Sequence, residues 1–177
     1  MELKGSKTEA NLLAAFASKA HSKNLYDSYA YRFAYAGLQQ IQDAMYDAAR
    51  LQATHAKLLY EALYGPVGET LSNLQILLAD EVRMAAELRE CAKVAQTENL
   101  EEAAVLFEET AKINDEHIVM LHKFIHNYAN EQVFQKDEPV DWICIACGLV
   151  VHEHAAPETC PYCKHPQGLF YVRNLNF

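Results

Sequence analysis

Four of the five cysteines in this 177-residue chain fall within twenty residues, as Cys144-x-x-Cys147 and Cys160-x-x-Cys163. No other feature limits so tightly what the chain can fold into. Two residues between thiolates let the backbone close into a knuckle whose amides point at the sulfurs, and Gly148 directly after the first pair offers an easy positive φ. Two such knuckles facing each other make a tetrahedral S₄ site for iron or zinc. About 40 residues bury too little surface to fold unaided, so metal binding is expected to be part of the folding energy. In a reducing compartment a cluster of this kind binds metal rather than forming disulfides. The fifth cysteine, Cys91, stands alone among apolar neighbours and is expected to be an inert buried thiol.

Upstream the texture differs. Residues 1–130 contain four glycines and one proline and are rich in Ala, Leu, Glu, Gln and Lys, all good helix formers. Ser6 and Glu9 fit a capping box. From there Leu12, Leu13, Phe16, Ala20, Leu25, Tyr26, Tyr29 and Phe33 recur at helical steps, with the aromatic residues expected in the core, until Gly37 stops the run. A second helix is predicted over about 38–63, presenting Ile41, Met45, Ala48, Leu51, His55, Leu58 and Leu59, and the Gly65–Gly68 segment breaks it. A third covers about 70–96 and a fourth about 100–129, the latter presenting Phe107, Ile113, Asn114, His117, Met120, Leu121 and Phe124. Four helices joined by short turns read as a four-helix bundle. The two halves resemble each other loosely, each a helix pair with a His midway along its second helix. His122 and His126, four apart near a helix end, read as a solvated face.

The formal charge is −9, which excludes general binding to nucleic acid or anionic membrane, since both need a basic face. The first residues do not combine a basic start, an apolar run and a small-residue cleavage site, so no secretion signal is expected, and no stretch approaches ~18–20 apolar residues. A soluble, cytoplasmic protein is expected, with a bundle over 1–132 and a metal-binding module over 133–177.

The stretch from Trp142 to Pro166 resembles the rubredoxin-type domain that ends rubrerythrins: an aromatic residue two before the first Cys, a Cys-Gly pair, Ala-Pro-Glu-x-Cys-Pro-x-Cys, and a following His-Pro. His154 departs from the pattern, standing where such modules usually carry Gly, so that loop is expected to turn differently. The opening residues 3–18 and the segment 99–112 resemble rubrerythrin helices as well. The resemblance implies an all-α ferritin-like four-helix bundle with a C-terminal rubredoxin-like module. It also implies an iron centre at the four cysteines, a homodimer, a redox partner protein, and a di-iron site in the bundle that reduces peroxide with NADH-derived electrons. The stretch near Gln135–Pro139 is expected to be a flexible link that lets the module dock near a neighbouring subunit.

The family's di-iron site takes a Glu from the first helix, Glu-x-x-His from the second, Glu-x-x-Glu from the third and Glu-x-x-His from the fourth. Those positions fall here on Lys19, on Gln52 and His55, and on Asn114 and His117. The third-helix pair falls on Glu81 and Met84 in one register, or on Asp80 and Arg83 in the other, as if one residue had been removed from a π-type bulge. Most carboxylates are replaced, so no di-iron centre is expected. In its place Lys19 is expected to pair with Glu81 or Asp80, while Gln52, His55, Asn114 and His117 share hydrogen bonds. Two alternatives stand beside this: one metal ion on His55, His117 and Glu81, or His21 swinging in as a substitute ligand. The resulting expectation is an iron-binding electron-transfer protein using the Cys₄ centre. The alternatives are a structural or scaffolding protein with zinc there, or a peroxide-reducing enzyme with a rebuilt metal site.

Overall fold

The computed structural model describes residues 3–174. The chain forms four helices, α1 (Lys7–Tyr35), α2 (Gln39–Tyr64), α3 (Thr70–Thr97) and α4 (Glu101–Ala129). Strands β1 (Gln135–Cys144), β2 (Val150–Ala155) and β3 (Phe170–Val172) follow, with a 3₁₀ turn over Gln167–Leu169. It divides into two compact units, one ending at Gly68 and holding the α1–α2 hairpin, the other starting at Glu69 and holding the α3–α4 hairpin and the strands.

Local chemistry sets the helix ends. At the start of α1 the Glu9 amide donates to Ser6 Oγ at 3.1 Å, and the Glu9 carboxylate accepts from the Gly5 amide at 2.6 Å. Three helices stop in the same way, with a left-handed residue whose amide returns to the last turn and a second amide reaching one carbonyl further back. Gly37 fills that place after α1, with Leu38 N–H donating to Phe33. Asn99 fills it after α3, with Leu100 N–H donating to Ala95, and Glu131 after α4, with Gln132 N–H donating to Asn127. Only the glycine announces this in the sequence, because Asn and Glu occupy left-handed φ at a steric cost.

Within each hairpin the buried seam is made of small side chains. Ala30, Ala49 and Ala56 line it in the first, and Ala85, Ala92, Ala95, Ala104 and Ala111 with Leu121 in the second. Small residues let helix axes approach closely, so the interdigitating stripe is narrow. Larger apolar residues expected on the packed faces lie outside it, with Leu51, Leu58, Leu77, Ile113, Met120 and Phe124 exposed. Tyr29 is likewise 56 % exposed, whereas Tyr26 and Phe33 are half-buried. Cys91 is exposed and not a buried thiol, although Ala92 beside it and Ala95 one turn on are buried. Cross-helix contacts pin the pairs: Phe16 meets Tyr60 at 6.1 Å between ring centroids, and Arg89 forms an ion pair with Asp115. Among the described residues no helix is long and apolar enough to cross a membrane.

The strands form an antiparallel sheet in the order β2-β1-β3. The Gln135–Pro139 stretch, expected as a link, is the first half of β1, with an irregularity in its pairing to β2 between Gln135 and Val140. The sheet's inner face carries Trp142, 1 % exposed, whose indole N–H donates to the Glu153 carbonyl at 3.0 Å. Around it lie Cys144, Ala156, Cys160 and Phe170, with Phe134, Val140, Leu149 and Val151 at the margin.

Ala111 is fully buried, so Ala111→Leu should overpack the α3–α4 seam and cost about 1–3 kcal/mol. Thermal unfolding followed by circular dichroism should show the lowered midpoint, while Ile113→Ala at the neighbouring exposed position should change it far less.

Candidate metal centre

The two knuckles are built alike. In the first, Cys144 N–H donates to the Leu149 carbonyl at 2.9 Å and Gly148 N–H donates back to Cys144 at 2.8 Å. In the second, Cys160 N–H donates to His165 at 2.8 Å and Lys164 N–H donates to Cys160 at 3.0 Å. Gly148 has φ +77° and Lys164, its counterpart, +63°. A lysine thus takes the backbone shape that the glycine takes freely, and its ammonium donates to the Pro161 carbonyl at 2.9 Å.

The loops bring Cys144, Cys147, Cys160 and Cys163 together with all four sulfurs within 4.8 Å of one another. Across the knuckles Cys144 Sγ lies 3.7 Å from Cys163 Sγ, and Cys147 Sγ 3.7 Å from Cys160 Sγ. Bonds of ~2.3 Å to a central ion place tetrahedral sulfurs about 3.8 Å apart, so the cage already has the size the ion requires. Cys144 and Cys160 are fully buried, while Cys147 and Cys163 are half-buried.

As free thiols Cys147, Cys160 and Cys163 are pulled in different directions. Backbone amides of Cys163 and Tyr162 hold the Cys160 thiol down to about 6 against the cost of desolvation. The Leu149 amide pulls Cys147 down as well, but desolvation and the three neighbouring sulfurs push it up to about 12. For Cys163 the His165 amide also acts downward, and desolvation with the crowding of sulfurs leaves the thiol raised. One thiolate thus forms readily and repels the next, and a cation at the centre removes that repulsion. His165 Nδ1 sits 3.3 Å from Cys163 Sγ. His154, expected to redirect its loop, instead continues β2.

The helical positions fall in two places. Lys19, Gln52 and His55 belong to the α1–α2 unit, where Lys19 and Gln52 are half-buried and His55 is exposed. Glu81, Met84, Asn114 and His117 belong to the α3–α4 unit. There His117 Nδ1 lies 3.3 Å from Glu81 Oε1, and Asn114 is 7 % exposed. The Glu81–Met84 register lies on the partly buried side of α3 next to Ala85, and α3 is continuous α-helix throughout. Asp80 and Arg83 are exposed, and Arg83 pairs with both Asp80 and Glu87. Each acid has a partner within its own hairpin, Arg83 for Asp80 and His117 for Glu81. Buried oxygens of Gln52 (Oε1) and Glu81 (Oε2) have no hydrogen-bond donor among the described residues. Nothing in a sequence pattern announces such orphaned atoms. His21, His122 and His126 are exposed.

A helical region followed by a small sheet that cages four sulfurs defines a rubredoxin-like metal-binding protein, and residues 142–171 match the family described as Rubrerythrin, rubredoxin-like domain. The likeness runs well past that segment. The chain is 30 % identical to Rubrerythrin of Porphyromonas gingivalis, over 99 % of this chain and 94 % of that protein. It is 32 % identical to Rubrerythrin of Nitratidesulfovibrio vulgaris over 99 % and 98 %, and 32 % identical to Rubrerythrin of Clostridium perfringens over 96 % of each. The chain belongs to the rubrerythrin family.

Two outcomes follow from the knuckles. Lys164→Gly should relieve the left-handed strain, ~1–2 kcal/mol, less the ~0.5–1 kcal/mol that glycine adds to the unfolded chain's freedom. The metal-loaded protein should therefore lose its sulfur–metal absorbance at slightly higher denaturant. Cys160→Ser removes a fully buried ligand, and metal analysis should find the module empty.

Proposed function

We propose that this chain carries single electrons through one iron held by Cys144, Cys147, Cys160 and Cys163, and that it has lost the two-iron site of its helical region. An iron held this way supplies one-electron exchange between its ferric and ferrous states. The observation that carries the reading is the cage itself, with sulfurs spaced as a tetrahedral ion requires and two of the four ligands reaching the surface. Half-buried Cys147 and Cys163 offer the short route to a redox partner, while Cys144 and Cys160 anchor the centre to the sheet and the Trp142 core.

The second half of the proposal rests on the donor set. Two ferric ions bring six positive charges, which hard anionic oxygen ligands must offset in a low-dielectric interior. At the corresponding positions this chain has an ammonium, Lys19, two neutral amides, Gln52 and Asn114, and a thioether, Met84. Glu81 is the one carboxylate, and His55 and His117 are neutral donors. This set does not fit a pair of irons. We further propose a cytoplasmic homodimer whose module exchanges electrons with a separate redox protein. A zinc-loaded, non-redox structural role is the competing reading, since a closed S₄ cage suits zinc equally well.

Protein purified from iron-replete cells should hold one iron per chain and show visible absorbance that reductant bleaches. Zinc without colour would select the structural reading, and three irons per chain would overturn the loss of the helical site. Replacing Lys19, Gln52, Met84 and Asn114 together by Glu should raise the iron content above that of the unmodified chain.

A further inference from the structure

The sheet has an outer face that the Cys₄ centre does not use. Cross-strand partners lie on the same side of a sheet, and side chains alternate along each strand. Val151 pairs with Trp142 and faces the core, so His152 and His154 stand on the opposite face, two residues apart on an edge strand. Asp141 is the direct partner of His152 across the ladder. Both histidines are exposed.

Each ring is held by its Nδ1. His152 Nδ1 lies 2.8 Å from Asp141 Oδ1, and His154 Nδ1 lies 3.3 Å from the Lys136 carbonyl. A carboxylate and a carbonyl only accept, so each Nδ1 carries the proton and donates it. In the neutral ring this tautomer puts the lone pair on Nε2, the nitrogen that would meet a ligand. Metal-binding histidines are typically braced in this way, the second nitrogen donating to a carboxylate or backbone carbonyl that fixes tautomer and orientation. Residues two apart on a strand are about 6.6–6.8 Å apart at Cα, a separation two imidazoles can span around one ion.

We propose that His152 and His154 form a second metal site, on the outer face of the sheet, for a borderline divalent transition ion of the Ni²⁺, Cu²⁺ or Zn²⁺ class. Imidazole nitrogen is the ligand these ions favour, and water fills the remaining positions. Asp141 acts through His152 as a positioning residue. Placing a cation there also suits a chain of net charge −9. The site stands whichever metal the cysteines hold.

The test is calorimetric titration of untagged protein with Ni²⁺, its Cys₄ site already loaded so that the sulfurs cannot compete. One ion per chain should bind. His152→Gln and His154→Gln should each weaken it at least tenfold, and Asp141→Asn about tenfold, with the Cys₄ absorbance unchanged as a check on folding. His122 and His126, four apart and exposed on α4, are the natural rivals, and His122→Gln with His126→Gln should leave the titration as it was. Absence of binding to the parent protein, binding that survives loss of both His152 and His154, or binding abolished by the α4 changes would each overturn the proposal.

Discussion

Mutual repulsion among four sulfurs is the constraint on which the small C-terminal module depends. Its sheet has three strands, and its core holds two of the cysteines as packing residues. Take the cation away and Cys144 and Cys160 remain buried, with the Cys147 thiol pushed up and the Cys160 thiol held down beside it. With the cation in place, the same crowding becomes four bonds that tie the end of β1 to the second knuckle. Cys144 and Cys160 are thus ligand and core at once, so metal binding and packing of the module are coupled.

The helical region depends on a different economy of space. Alanine dominates both hairpin seams, so each pair of helices is held by close backbone approach and a few cross-helix contacts such as Arg89 with Asp115. Against such a seam the buried polar groups are conspicuous. Asn114 is buried, and Glu81 rests one oxygen against His117 while the other lacks a donor among the described residues. A chain selected only for packing has no reason to keep these groups there.

Much of this was legible beforehand. The helices end within a residue or two of where glycine, capping and periodicity place them, and the cysteine spacing identifies the cage. What escaped was physical in kind. Periodicity marks which residues share a helical face but not which part of that face meets its neighbour, so Tyr29 and Cys91 were assigned to an interior they do not occupy. A flexible link was expected at Gln135–Pro139, yet Gln135 pairs with Ala155 and Val140 with Glu153, so the stretch is held at both ends as the irregular first half of β1. The third-helix register was undecidable from spacing alone. In the structure Glu81 stands beside His117 and Asp80 beside Arg83.

The order of the strands has a bearing on how the chain matures. β1 is the central strand but is made first, and its partner β3 is made last, after both knuckles. As the chain leaves the ribosome, all four sulfurs are therefore available before Phe170 to Val172 can complete the sheet. Ion capture can close the second knuckle onto the first while one side of β1 is still bare, and the last strand then docks against a scaffold the metal has already set.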